Sequence, residues 1–300
     1  MTVLALTAGG CLRGAVAANG PAHDSWAQDD ETSRLSAAER ARRAGAGPLI
    51  PPDVAPLVLL HAFPLSSQMW GPMVAQLPEL PILMFDLPGA GASPIIEPPA
   101  VRTAALAVIE SLRALGVSQA FVVGVSMGGY VAMSVLREAP DLLAGIILMH
   151  TKAVADDEAA RAARLDVARR VLATGSVEEL RPMASKMVSA VSQATQPDLV
   201  GMIERWIDQA TPAGVAWAQE AMAGRPDSMM ALRAAGLPTT IMAGAEDPFA
   251  PVSQAEAMAE AIGWHSSLVV ISDVAHLSPL EASNVTARIV REAYRNAVDW

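Results

Sequence analysis

Ser126 stands at the centre of Gly124-Val125-Ser126-Met127-Gly128, and its hydroxyl is the side chain that the sequence best equips to act as a nucleophile. The apolar run Phe121-Val122-Val123 before it reads as a buried strand. The small-residue pattern Tyr130-Val131-Ala132-Met133 after it reads as a helix. Strand, sharp turn with serine at the apex, helix: in this context Gly-x-Ser-x-Gly forms a nucleophile elbow rather than an ordinary glycine-rich turn. A serine at such an apex crowds the residues two before and two after it, and both are glycine here. A serine hydroxyl is a weak nucleophile near neutral pH. It needs a base within hydrogen-bond reach, and the base needs a carboxylate to hold its tautomer. His276 and Asp247 supply those side chains, so that nucleophile, acid and base follow in the order Ser126, Asp247, His276. Asp273 is nearer to His276 in sequence, but it lies in the histidine's own loop and would have to reach around it. Asp247 is therefore the expected acid.

Each of these residues needs a strand to place it. Leu57-Val58-Leu59-Leu60 runs into His61, Ile82-Leu83-Met84-Phe85 into Asp86, and Gly145-Ile146-Ile147-Leu148-Met149 into His150. Thr239-Thr240-Ile241-Met242 leads to Asp247, and Ser267-Leu268-Val269-Val270-Ile271 leads to His276. Helical spacing over 68–77, 101–115 and 255–262 alternates with these runs. This predicts βαβ units and an α/β fold with a mostly parallel, doubly wound sheet. Such sheets bind ligands at the carboxyl ends of their strands, so His61, Asp86, Ser126 and His150 are expected on one edge. Asp86, in a Gly/Pro-rich turn, is expected to organise that turn rather than to do chemistry. Between 153 and 235 no strand is apparent and helices are expected over 157–173, 177–192, 197–209 and 212–223. Their Met183, Met187, Met202, Trp206, Trp217 and Met222 either pack helix on helix or roof an apolar cleft. Ser278, Pro279 and Glu281 carry the pattern of a capping box that opens the last helix.

The chain has 300 residues, enough for one α/β core with an insertion. The expected division is a core at 51–152 and 236–300, a helical cap at 153–235, and a leader at 1–50. The leader is expected to be unstructured or partly helical near 36–43. Apolar residues make up 52%, so a large core can be buried. A net charge of −10 argues against nucleic acid and against an anionic membrane as partners. The charge-free stretch 114–136 is long enough to span a bilayer, but its glycines and polar residues divide it into strand, turn and helix. A single cysteine, Cys11, excludes an intramolecular disulfide framework and a multi-cysteine metal site. No metal and no cofactor are expected. Leu4-Ala5-Leu6 followed by Ala8-Gly9-Gly10-Cys11 faintly resembles a lipoprotein cleavage site, yet no Lys or Arg precedes the apolar part, and a cytoplasmic location is expected. Whether the chain is a monomer or a homo-oligomer is left open.

Five blocks, taken in order, resemble the α/β-hydrolase family over about residues 54–295. They are His61-Ala62-Phe63-Pro64, Asp86-Leu87-Pro88-Gly89-Ala90-Gly91-Ala92-Ser93, Gly124-Val125-Ser126-Met127-Gly128-Gly129, Gly244-Ala245-Glu246-Asp247 and His276-Leu277-Ser278-Pro279-Leu280-Glu281. Within that family the chain looks most like the 3-oxoadipate enol-lactonase-like and small esterase branch. The resemblance implies the family's fold with a helical cap after the sixth sheet strand. It also implies Ser126, Asp247 and His276 as a catalytic triad and the backbone N–H groups of Phe63 and Met127 as an oxyanion hole. His61, Trp70 and His150 are the candidates around the substrate, with His61 expected to shape the oxyanion loop and His150, near the site as a strand-end residue, expected to be structural. The expected activity is cofactor-free hydrolysis of a small-molecule ester or lactone through an acyl-enzyme. Perhydrolysis, acyl transfer and carbon–carbon bond hydrolysis use the same triad and stay open, as does a hydrolase-like receptor that binds without turnover. An acidic substrate would call for a cation in the pocket. Arg161, Arg164, Arg169, Arg170 and Lys186 are available, but most are expected on solvated faces. Two departures from the family pattern stand out: Ala62 replaces a glycine, and residues 1–53 show no sign of the two-stranded hairpin that opens the family's sheet.

Overall fold

In a computed structural model of the chain, residues 3–7, 50 and 54–298 are described. Seven strands form one sheet: β1 (Val3–Thr7), β2 (Leu57–Leu60), β3 (Ile82–Asp86), β4 (Ala120–Val125), β5 (Leu143–Met149), β6 (Thr239–Gly244) and β7 (Ser266–Ile271). Their spatial order is β1-β3-β2-β4-β5-β6-β7 and every neighbouring pair is parallel. All residues of β2, β4 and β6 are buried. This is why they read as continuous apolar or β-branched runs rather than as alternating ones: helices cover both faces of the sheet. Helices α1 (Gly71–Val74), α2 (Val101–Ala114) and α3 (Met127–Glu138) follow β2, β3 and β4. No helix among the described residues is long and apolar enough to cross a membrane.

Between β5 and β6 the chain is helical: α4 (Glu158–Thr174), α5 (Met183–Lys186), α6 (Ala190–Thr195), α7 (Asp198–Ile207), α8 (Pro212–Ala223) and α9 (Met229–Ala234). Local chemistry sets their ends. Asp157 caps α4 by accepting from Ala160 N–H, and Gly175 ends it with φ +63°. Thr211 caps α8 through Gly214 N–H, with Pro212 in its first turn. The single helix expected over 177–192 is instead a 3-10 turn and two short helices. Ser189 takes an extended conformation and caps α6 through Ser192 N–H, which starts a new helix where the apolar spacing alone would continue the old one. The insertion follows β5, the fifth strand. The expectation placed it after the sixth; among the described residues four strands of the sheet precede β5, with β1 beside β3 at the edge.

Within the expected leader, Val3–Thr7 form a strand, β1, paired in parallel register from Val3 with Ile82 to Thr7 with Asp86; residues 8–49 lie outside the described residues. The helical turn expected near 36–43 lies outside the described residues. After β6 come α10 (Val252–Ile262), β7, α11 (Ser278–Glu281) and α12 (Ser283–Val298). The capping box expected at Ser278 does not form. Leu277 is the N-cap, and the Ser278 hydroxyl lies 2.8 Å from His150 Nε2. The Glu281 carboxylate accepts instead from the N–H groups of Leu277, Ala275 and Ser189 at 2.8–3.1 Å. A tertiary bond has taken the serine away from its local one.

The registers Leu60–Gly124, Val125–Met149, Met149–Met242 and Gly244–Ile271 align the carboxyl ends of β2, β4, β5, β6 and β7. From β2 the chain steps outward to β3 and then returns across β2 to β4. The crevice between the ends of β2 and β4 is thus the switch point where doubly wound sheets bind ligands.

Candidate active site

Ser126 follows β4 directly, with φ 54° and ψ −111°. A positive φ is strained for a residue with a Cβ and persists only where the surroundings over-determine it. They do so here. Ser126 N–H donates to Met149 O at 2.9 Å, and Ser126 O accepts from Gly129 N–H at 3.0 Å and from the Thr151 hydroxyl at 2.8 Å. The neighbouring glycines are needed for space. A Cβ on Gly124 would lie 2.3 Å from Gly128 O, and one on Gly128 would lie 2.0 Å from Leu60 O. Ser126 is half-buried and occupies the N-cap of α3, where the helix presents unpaired N–H groups and positive potential.

Asp247 sits in the turn after β6, anchored because Oδ1 accepts from Phe249 N–H at 2.8 Å and Ala250 N–H at 3.1 Å. His276 Nδ1 lies 2.9 Å from Oδ1 and 2.8 Å from Oδ2 of the same carboxylate. A carboxylate can only accept, so Nδ1 carries the ring proton and Nε2 is left as the basic nitrogen. Burial pushes the Asp247 carboxyl up, but the imidazoles of His150 and His276 outweigh it and hold the group well below the usual carboxylate range. The His276 ring packs on Phe249 with centroids 5.0 Å apart. Its backbone N–H donates to Met187 O at 3.0 Å, so the helical insertion grips the histidine loop directly. Ser189 Oγ donates to Asp273 O at 2.6 Å in the same loop. Ser126 thus ends β4, the acid–base pair ends β6 and β7, and all three share one edge of the sheet with β5 between them.

A small cleft, open to solvent, lies beside the elbow. Phe63 and Met127, the two expected oxyanion donors, both line it, and the insertion roofs it with Trp206, Val215 and Ala218. None of its lining residues is Asp, Glu, Lys or Arg. Of the Met and Trp residues that were candidates for the roof, Trp206 lines the cleft. Met187, Trp217 and Met222 are buried in packing, and Trp217 Nε1 donates to Ile96 O at 2.7 Å. Of the five cationic candidates, Arg164 is held on Asp156, Arg169 on Asp166, and Arg170 on Asp166 and Glu179, and neither Arg161 nor Lys186 lines the cleft.

The three residues expected around the substrate separate. His61 borders the cleft, but both ring nitrogens are engaged. Nε2 accepts from Leu87 N–H at 2.9 Å, and Nδ1 therefore donates to Ala62 O at 3.0 Å. Burial lowers its pKa, so the neutral ring ties the oxyanion loop to the turn after β3. Asp86 organises that turn as expected, accepting from Ser67 N–H at 2.8 Å and Ala92 N–H at 3.1 Å. Trp70 is a correction. It is fully buried and does not line the cleft, because the 3-10 turn Ser67–Trp70 and α1 drive Met69, Trp70 and Met73 into the core. His150 is a second correction. Its side chain is fully buried and faces Asp247 rather than the cleft, with Nδ1 3.4 Å from Oδ2. Among the described residues, His150, Asp247 and His276 form the one group whose ligand atoms come close enough, within 4.8 Å, to be weighed as metal ligands. Asp247 already accepts from His276 and two backbone N–H groups, and that pattern suits proton bonding better than a cation. Sequence reasoning missed Gln68 and Gln209, which meet across the cleft mouth at 3.0 Å from opposite sides of the fold. No local pattern marks such a pair.

The family model described as "alpha/beta hydrolase fold" matches residues 55–283. Among solved structures, a malate-bound thermophilic esterase from Thermogutta terrifontis is similar at 34% identity and a TM-score of 0.78, covering 81% of this chain and 90% of that one. Among curated proteins, the 2-succinyl-6-hydroxy-2,4-cyclohexadiene-1-carboxylate synthase of Enterobacter sp. (strain 638) is 29% identical over 64% of this chain and 75% of its own length. The 3-oxoadipate enol-lactonase 2 of Acinetobacter baylyi is 25% identical over 75% of this chain and 83% of its own length.

Proposed function

The chain belongs to the α/β-hydrolase fold family and is a hydrolase of its esterase and lactonase kind, and from that premise we propose that it cleaves a small, uncharged carboxylic ester or lactone through an acyl-enzyme on Ser126. The observation that carries this reading is the pairing of His276 Nδ1 with Asp247 at 2.8–2.9 Å, on the same sheet edge as a serine held at positive φ.

Ser126 Oγ attacks the carbonyl carbon while His276 Nε2 takes its proton, and Asp247 stabilises the imidazolium that results. The tetrahedral oxyanion is received by the N–H groups of Phe63 and Met127. Each such donor is worth roughly 10²–10³ in rate. The imidazolium returns its proton to the leaving alkoxide, and water then repeats the cycle on the acyl-enzyme, releasing the acid and restoring Ser126. The helical insertion acts as a cap that roofs the acyl group. The absence of charge among the lining residues favours a neutral acyl chain, since a carboxylated one would lie buried without a counter-ion.

The test pairs a fluorophosphonate probe with a panel of p-nitrophenyl esters and small lactones. The wild-type chain is labelled and turns over short neutral esters, and Ser126→Ala is neither labelled nor active. Labelling of both proteins would remove Ser126 from the mechanism. Labelling without steady-state turnover would turn the reading toward a ligand receptor.

A further inference from the structure

His150 is a buried imidazole beside the acid–base pair to which the mechanism above gives no role. It follows β5 with a φ of 48°, a left-handed backbone that a bulky residue seldom adopts. Its backbone N–H donates to Met242 O at 2.8 Å, which fixes where the ring starts. Nε2 lies 2.8 Å from Ser278 Oγ. Nδ1 has Asp247 Oδ2 at 3.4 Å as its polar neighbour, an ion-pair distance, and makes no hydrogen bond. The His150 and His276 rings meet edge to face, with centroids 5.9 Å apart. Two imidazoles therefore flank one carboxylate.

Electrostatics decides which nitrogen of His150 carries the proton. With the proton on Nε2, the Nδ1 lone pair would stand 3.4 Å from an anionic oxygen in a buried, low-dielectric site. With the proton on Nδ1, the positive edge of the ring stands beside Oδ2 and Nε2 accepts from the Ser278 hydroxyl. The second arrangement puts attraction in place of repulsion at the carboxylate. The titratable groups around it are Asp247 after β6, His276 after β7 and Glu281 on α11, and burial outweighs the pull of Asp247 and lowers the His150 pKa. The ring is thus a neutral donor.

Building on the serine-hydrolase reading, we propose that His150 is a positioning residue for the acid: its Nδ1–H, oriented from behind by Ser278, holds the Asp247 carboxylate in the attitude that receives His276 Nδ1. The backbone N–H groups of Phe249 and Ala250 fix Oδ1, and they come from the same short loop as Asp247 itself. Oδ2 has no such backbone partner, and His150 supplies its tether from another strand. The chain of contacts Ser278–His150–Asp247–His276 then links α11, the end of β5 and the loops after β6 and β7, so the base is oriented by groups three contacts away.

The experiment uses the full chain and compares His150→Phe, His150→Asn and Ser278→Ala with wild type. The readouts are kcat and KM on a short p-nitrophenyl ester, the pH profile of kcat/KM, the rate of fluorophosphonate labelling, and a thermal melt. His150→Phe lowers kcat and the labelling rate about tenfold with KM little changed, the loss expected when one buried polar contact to a charged group is removed. Its acid limb moves to higher pH, because a carboxylate no longer shared with a second donor stabilises the His276 imidazolium more strongly. Asn accepts left-handed backbone and places an amide nitrogen about where Nδ1 stood, so His150→Asn retains most of the rate. Ser278→Ala changes kcat and the limb in the same direction as His150→Phe, by less. Wild-type kcat and an unmoved limb in Ser278→Ala, or in a folded His150→Phe, would overturn the proposal even if the other variant does not fold. Failure of the underlying reading shows separately, as a wild-type chain that the probe never labels.

Discussion

Gly128 and Leu60 meet backbone to backbone: a Cβ on Gly128 would stand 2.0 Å from Leu60 O. The first turn of α3 is thereby pressed onto the end of β2, next to the loop that carries Phe63. Substituting Gly128 by alanine forces these two backbones apart and shifts Met127 N–H relative to Phe63 N–H. Gly128→Ala is expected to lower kcat on short esters by at least tenfold, with a fall in melting temperature, because a 1 Å misplacement at a reacting centre can cost about 10²-fold. A variant with wild-type kcat and melting temperature would show that the contact is not what sets the oxyanion site.

Asp247→Asn keeps the shape of the acid and removes its charge. The amide can donate as well as accept, so His276 is free to turn its proton onto Nε2, the nitrogen proposed to take the serine proton. The expected loss in kcat is on the order of 10³–10⁴, with KM nearly unchanged. Steady-state kinetics checks this, and a loss below tenfold would point to another acid.

Stability should fall in two steps as the medium is acidified. His61 and His150 have pKa values lowered mainly by burial, so the native state holds them neutral while the unfolded chain takes up their protons. Their contribution is complete above the unfolded value of about 6.5 and is lost as pH falls below it. Asp247 and Asp156 are depressed against the cost of burial, the one by two imidazoles and the other by Arg225 and Arg164. Their contribution is present above the unfolded carboxylate value of about 4 and declines as pH falls toward their folded values. Melting temperature recorded from pH 8 to pH 3 tests both steps, and a flat profile across this range would refute them.

Asp156 is also where the insertion is bolted to the core. It pairs with Arg164 at 2.6 Å, Arg225 at 2.7 Å and Lys152 at 3.1 Å, and Arg225 lies over the Tyr130 ring of α3 at 4.1 Å. Asp156→Asn leaves the almost fully buried Arg225 guanidinium without its counter-ion. The expected destabilisation is about 3–5 kcal/mol by denaturant unfolding. A loss under about 1 kcal/mol, the worth of a surface pair, would show the network to be solvated.

A cleft without charged lining should discriminate against carboxylated acyl groups. Neutral p-nitrophenyl butyrate is expected to be hydrolysed with a kcat/KM at least tenfold above that of its ω-carboxylate analogue, a modest figure for an unpaired buried charge. Gln209→Arg, which places a cation at the cleft mouth, narrows that ratio. An unchanged ratio would mean that the acyl group does not lie in this cleft.

The parts of the fold that were legible in sequence are those whose cause is local. Leu57–Leu60 and Ala120–Val125 announce themselves because a strand covered on both faces must be apolar throughout. The order of Ser126, Asp247 and His276 was equally plain, since each follows its own strand. What was not legible depends on partners far along the chain. Val3–Thr7 become a strand only beside Ile82–Asp86, and nothing within five residues declares that edge. Ser278 carries a good capping pattern, yet its hydroxyl faces His150, a partner that local spacing cannot reveal. Trp70 sits near Phe63 in sequence but in the core in space, buried with Met69 and Met73 by the turn that follows β2. Met229–Ala234 form a helix too short for apolar spacing to mark it.

The hydrogen bond from His276 N–H to Met187 O means that the roof over the cleft also helps to hold the residue proposed as the base. Loop regions of this kind are the usual currency of divergence, traded while the scaffold stays put. Here the trade is constrained. A replacement insertion grafted from a relative would have to present a carbonyl at the place of Met187 and a hydroxyl at the place of Ser189, or the transplant would dull the machinery beneath it along with changing what enters.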